Sequence, residues 1–83
     1  MVRYSKYPNY ALIPLNTLGE IKLKQGKFAE AELYFKRSLA INPSQGEPYY
    51  YLGRIAESLG NHAAAESNYL QATRYPWLHS QGA

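Results

Sequence analysis

The sequence predicts an all-α chain with four main helices, folded as antiparallel pairs that stack on one another. Three observations carry this. The sequence matches itself at a shift of 34 residues. Within each copy, apolar residues recur at helical intervals of three and four. A glycine interrupts each copy midway, and Asn42-Pro43 separates the two.

The self-match is specific. Pro14 falls on Pro48, Leu18-Gly19 on Leu52-Gly53, and Ile21 on Ile55. Gly26 falls on Gly60, Ala29 and Ala31 on Ala63 and Ala65, Glu32 on Glu66, and Phe35 on Tyr69. Units of this length bury their apolar faces mainly against neighbouring units.

The first helix is expected over 10–25, with Leu15, Leu18, Gly19 and Ile21 on one broad face. Gly26 ends it by accepting a left-handed backbone. The second is expected over 28–41, where Phe28, Ala31, Phe35, Ser38 and Leu39 share a face and Pro43 prevents continuation. The third is expected over 45–59. Ser44 and Glu47 have the spacing of a capping box, and Pro48 suits the first turn. Its inner face would be Tyr49, Leu52, Gly53, Ile55, Ala56 and Leu59. Gly60 closes it, and Asn61 caps a fourth helix over 62–74 that buries Ala65, Tyr69 and Ala72. Gly19 and Gly53 sit in helix interiors, where glycine costs about 1 kcal/mol relative to alanine. Close approach of the paired helix is the expected compensation, with Ala31 and Ala65 across each crossing and Phe35 and Tyr69 beside them. Glu32 and Lys36 form an i, i+4 ion pair.

Composition limits the function classes. The 83 residues make one domain or part of one. With no cysteine, disulfides and thiolate metal sites are excluded. No apolar run has membrane-spanning length and no signal-peptide pattern is present, so a cytoplasmic location is expected. The net charge of +3 is mild and reads as solvated surface. The two histidines, His62 and His79, have no ligand-spaced companions, and no catalytic constellation stands out. A non-enzyme without cofactor or metal is expected. Nine tyrosines are the anomaly.

The spacing Leu18-Gly19, Gly26, Phe28, Ala31, Phe35, Pro43 resembles a tetratricopeptide repeat. A second copy matches through Tyr49, Leu52-Gly53, Gly60, Ala65, Tyr69 and Ala72. The resemblance covers 12–77. It departs at Lys22, Ala56 and His62, where the family usually has aromatics, at Ser38 in place of alanine, and at Pro76, one residue early. It implies a right-handed α-solenoid. The boundaries are 1–10 for a remnant of a preceding repeat, 11–44 and 45–77 for two repeats, and 78–83 for a tail or the start of another. Lys6-Tyr7-Pro8, two periods before Arg74-Tyr75-Pro76, extends the register, so a piece of a longer array is expected.

The resemblance also implies a partner site. In such arrays the first helix of each repeat lines a concave groove for a peptide or partner protein. By register the groove residues would be Ile13, Asn16, Glu20, Leu23 and Lys24, then Tyr50, Arg54, Glu57 and Ser58. Of the three consecutive tyrosines, Tyr49 is expected in the core, Tyr50 in the groove and Tyr51 at its rim. The chaperone-tail carboxylate clamp known in this family would map to Asn16, Glu20 and Tyr51. A glutamate in that seat repels a carboxylate, so this mode is rejected. RNA binding by tyrosine stacking is disfavoured by Glu20, Glu47 and Glu57. The competing reading is structural: a unit that stacks or exchanges helices with other copies, because two repeats leave apolar ends uncovered.

Overall fold

A computed structural model describes residues 8–77, and side chains from Leu15 onward. The expectations for 1–7 and 78–83 lie outside the described residues. Among the described residues, four helices follow one another: α1 (Pro8–Lys24), α2 (Phe28–Ile41), α3 (Gly46–Ser58) and α4 (His62–Arg74). The all-helical fold with antiparallel pairing is as predicted. The most extensive packing is α1 on α2 and α3 on α4; α2 against α3 joins the pairs, and α1 also reaches α3.

The boundaries follow local chemistry. Gly26 and Gly60, at φ 77° and 82°, make the turn within each pair. Asn42, ahead of Pro43, is extended at φ −143° and ψ 101°, as a residue before proline prefers, and α2 ends there. The Asn61 side chain caps α4 by accepting from the Ala64 N–H at 3.1 Å. The expected capping box at Ser44 and Glu47 is not formed. Gln45 is the N-cap residue, without a side-chain cap bond. The Ser44 N–H instead donates to Asn42 Oδ1 at 2.9 Å, an Asx turn that leads the chain from α2 into α3. Glu47 is buried in the first turn.

The two interior glycines have the predicted cause, with a change of neighbour. A Cβ on Gly19 would stand 2.6 Å from Cζ of Phe35, and one on Gly53 would stand 2.7 Å from the Tyr69 ring. The rings of the second helix therefore lie on the glycines themselves. Phe35 is fully buried, and its other side stacks on Tyr51 of α3 at 5.2 Å with the planes 9° apart. One ring thus touches three helices. Around it, Ala31, Leu52 and Ile55 form the core, with Leu23, Phe28, Leu39 and Tyr51 packed against it.

A buried polar knot joins the pairs beside this core. Gln45 Nε2 donates to the Ser38 carbonyl at 3.0 Å, to Ser38 Oγ at 2.8 Å and to the Asn42 carbonyl at 3.0 Å. Its Oε1 accepts from Asn16 Nδ2 at 3.0 Å. Ser38 is therefore a buried hydrogen-bonding partner. On the far side of α3, the Gly46 N–H donates to the Pro76 carbonyl at 2.8 Å, and the Trp77 indole N–H donates to the Ala72 carbonyl at 3.2 Å. This brings the segment after α4 back across the start of α3.

Some expected core positions are surface. Leu52 and Ile55 are 9% and 3% exposed beneath α2, whereas Leu18 and Ile21, at the same repeat positions, are 38% and 44% exposed. The face is the same; α1 has no counterpart of α2 over it among the described residues. Leu59 is 65% exposed at the end of α3. Tyr49 is half-buried and stacks on Tyr75 at 5.8 Å, so it joins α3 to the segment after α4 and is not part of the central core.

Gly53→Leu should destabilise the chain by about 1–3 kcal/mol, the usual cost of overpacking, since its side chain would displace the Tyr69 ring. Ser58→Leu, on an exposed position, should change stability far less. Chemical denaturation of the two variants checks this, and equal midpoints would contradict the packing described.

Candidate functional site

A cleft of about 330 Å³ opens between the first helices of the two pairs. It is lined by Glu20, Leu23 and Lys24 of α1, Phe28 of α2, and Tyr51, Arg54 and Ser58 of α3. The positions are helical stripes. Glu20, Leu23 and Lys24 stand at i, i+3 and i+4, and Tyr51, Arg54 and Ser58 at i, i+3 and i+7, so each set shares one face of its helix.

The floor is apolar and fixed from behind. Tyr51 lies on the buried Phe35 ring, and Leu23 and Phe28 pack against the same cluster. The Tyr51 hydroxyl donates to a Glu20 carboxylate oxygen across the cleft. Burial, and then this hydrogen bond, push the Tyr51 phenol well above its usual range. Tyr69 donates to Glu57 at 2.8 Å, and the same two causes push its phenol up to about 12.

The walls are cationic. The Arg54 guanidinium lies 5.9 Å from the Tyr50 ring centre and 6.0 Å from that of Tyr51, the outer range of cation–π attraction. Its head and that of Lys24 form no ion pair among the described residues. Among the described residues, Lys22 pairs with Glu30 at 3.2 Å, across the first helix pair, and Lys36 with Glu32 at 3.1 Å, as predicted.

Of the nine groove residues expected from the sequence, five line this cleft: Glu20, Leu23, Lys24, Arg54 and Ser58. Four do not. Asn16 is corrected: it is buried, and its amide is turned to Gln45. Tyr50 is half-buried in an aromatic group, with ring centres 5.1 Å from Tyr51, 5.7 Å from Tyr69 and 5.4 Å from Trp77. Glu57 faces Tyr69 and lines a separate depression with His62, Ala65 and Leu70. Ile13 lies on α1, with its side chain outside the described residues.

Phe28, expected on the core face, also lines the cleft, and Tyr51, expected at the rim, forms its floor. The signal for Tyr51 was present in the spacing. Arg54 is three residues from Tyr51 and four from Tyr50, and either tyrosine can share its face. Ser58 decides the matter, being seven from Tyr51 and eight from Tyr50. Glu47, expected near the groove, is buried.

With this geometry in hand, the comparisons identify the class. The family model for the tetratricopeptide repeat matches residues 16–76. The chain therefore belongs to the tetratricopeptide-repeat family, whose members are generally protein-interaction modules. No curated protein and no solved structure gave a significant match. Among the described residues, no helix is long and apolar enough to cross a membrane.

The Tyr51–Glu20 bond makes a pH prediction. The native state keeps a proton that an unfolded tyrosine gives up near pH 10. The bond's contribution is thus complete below about pH 10 and is lost as the pH rises through the higher native value. Ultraviolet titration should show a late-ionising phenol that disappears in Tyr51→Phe and ionises earlier in Glu20→Gln.

Proposed function

We propose that the chain is a non-catalytic interaction module that takes a peptide or an extended segment of a partner protein into the α1/α3 cleft. The observation that carries this reading is that both repeats contribute to one cleft with an apolar floor and charged walls. Tyrosine and arginine, the residue types that most often anchor interfaces, sit together in it. The floor is also held still. Phe35 backs Tyr51 and Glu20 holds its hydroxyl, so little side-chain freedom remains to be lost on binding. The right-handed solenoid and membership of a larger scaffold belong to the same proposal.

Blocking the cleft tests it. Ser58→Trp should fill the space beside Arg54, whereas Ser67→Trp places the same bulk on an exposed position of α4 outside the cleft. Proteins captured from a cell extract by the native chain should be lost with Ser58→Trp and kept with Ser67→Trp. Identical capture by all three would remove the cleft from consideration.

A second reading rests on a different observation. The outer faces of α1 and α4 carry Leu18, Ile21 and Leu70, the last 58% exposed, although Leu18 and Ile21 match buried residues of α3. These faces would stack on further helices, supplied by another copy of the chain. Sedimentation over a wide concentration range should then show dimers or longer stacks, with Leu18→Lys weakening them. A monomer at every concentration would exclude this.

A further inference from the structure

The charges around the cleft are not balanced. Lys24 and Arg54 are exposed on its walls, and neither forms an ion pair among the described residues. The one acid lining it, Glu20, already receives the Tyr51 hydroxyl. The other described acids on exposed or half-exposed positions turn elsewhere or lie outside the lining. Glu30 pairs with Lys22, Glu32 with Lys36, Glu57 accepts from Tyr69, and Glu66 lies in the depression on α4. The cleft thus presents two cations and one carboxylate, that of Glu20 already engaged by Tyr51, a net positive charge above an apolar floor of Leu23, Phe28 and the Tyr51 ring. Arg54 is also steered, since the Tyr50 and Tyr51 rings flank its guanidinium. A planar guanidinium is suited to donating two parallel hydrogen bonds to a carboxylate.

We propose that the cleft selects an acidic peptide segment in which an apolar or aromatic side chain lies close to an aspartate or glutamate. The apolar group enters on Leu23, Phe28 and Tyr51, and the side-chain carboxylate meets Arg54 with Lys24 nearby. This rests on the interaction-module reading and adds the chemistry of the partner. The volume, about 330 Å³, is at the small end for ligand sites and holds side chains, not a whole helix. A carboxylate at a chain terminus is the less suitable source. Asn16, which could have offered an amide donor one turn from Glu20, is buried against Gln45.

The experiment is a selection of displayed random dodecapeptides on the full chain, followed by binding of the enriched sequences as synthetic C-terminal amides. Enriched peptides should carry an apolar residue beside an acid. Changing that acid to its amide should weaken binding roughly tenfold, the scale of one charge-assisted hydrogen-bonded pair. The difference between acid and amide peptides should shrink in Arg54→Gln, with Lys24→Gln as an independent second variant. Both positions are exposed, and unchanged melting temperatures establish that the variants are folded. Peptides that lose binding in Ser58→Trp but show no acid preference would overturn the charge assignment and leave the interaction module standing. Binding that requires a free C-terminal carboxylate would overturn the side-chain assignment in the same way. No enrichment, or binding indifferent to Ser58→Trp, would overturn both.

Discussion

The ring of Phe35 is the constraint on which the remaining structure depends. It occupies the space that Gly19 leaves on α1, it is fully buried, and it stacks on Tyr51 of α3. One side chain of α2 therefore sets the distance between the helices of the first pair and the position of the second pair. Because Tyr51 is also the cleft floor, the packing that holds the repeats together is the packing that shapes the binding surface. Removing the ring would leave a cavity at the meeting point of three helices, and the cleft would lose its support.

The Gln45 knot complements this. Apolar stacking has little directional preference, and a ring can slide on a ring. Hydrogen bonds from one buried amide to the end of α2 and from α1 to that amide have fixed geometry. Left without these partners, a buried amide would cost about 1–3 kcal/mol, so alternative arrangements of the two pairs are penalised. Phe35 and the apolar core around it hold the pairs together, and Gln45 fixes their register.

Much of the fold was legible because the sequence states it twice. The bounds of α2 and α4 agree with the spacing, and those of α1 and α3 differ from it by a residue or two. The glycines, Ala31, Ala65, Phe35 and Tyr69 could be read from their recurrence at one interval. What was not legible lacks a counterpart in the other copy. Gln45 matches Ala11 and Ser38 matches Ala72, so no repetition marks the knot. Asn16 was misplaced for the same reason. Its register put it on the groove face, but the partner that draws it inward is unique to the junction. Five of the nine groove residues gather in the cleft because they lie on the stripes that face the next repeat. Tyr50 and Glu57 belong to the neighbouring stripe, about 100° round the helix, and join Tyr69 and Trp77 instead.

The segment after α4 has an optical consequence. Trp77 is the chain's only tryptophan, and it lies against Tyr50, which itself touches Tyr51 and Tyr69. Light absorbed by these phenols passes readily to an indole at such separations, so emission from the whole group is drained into one fluorophore. That fluorophore is tied by its N–H to the Ala72 carbonyl, beside the start of α3. The chain thereby carries an intrinsic emitter at one end of the helix whose other end holds Arg54 and Ser58. Any displacement of α3 against α4 alters the distances between donor and acceptor rings and is written directly into the ratio of tyrosine to tryptophan emission.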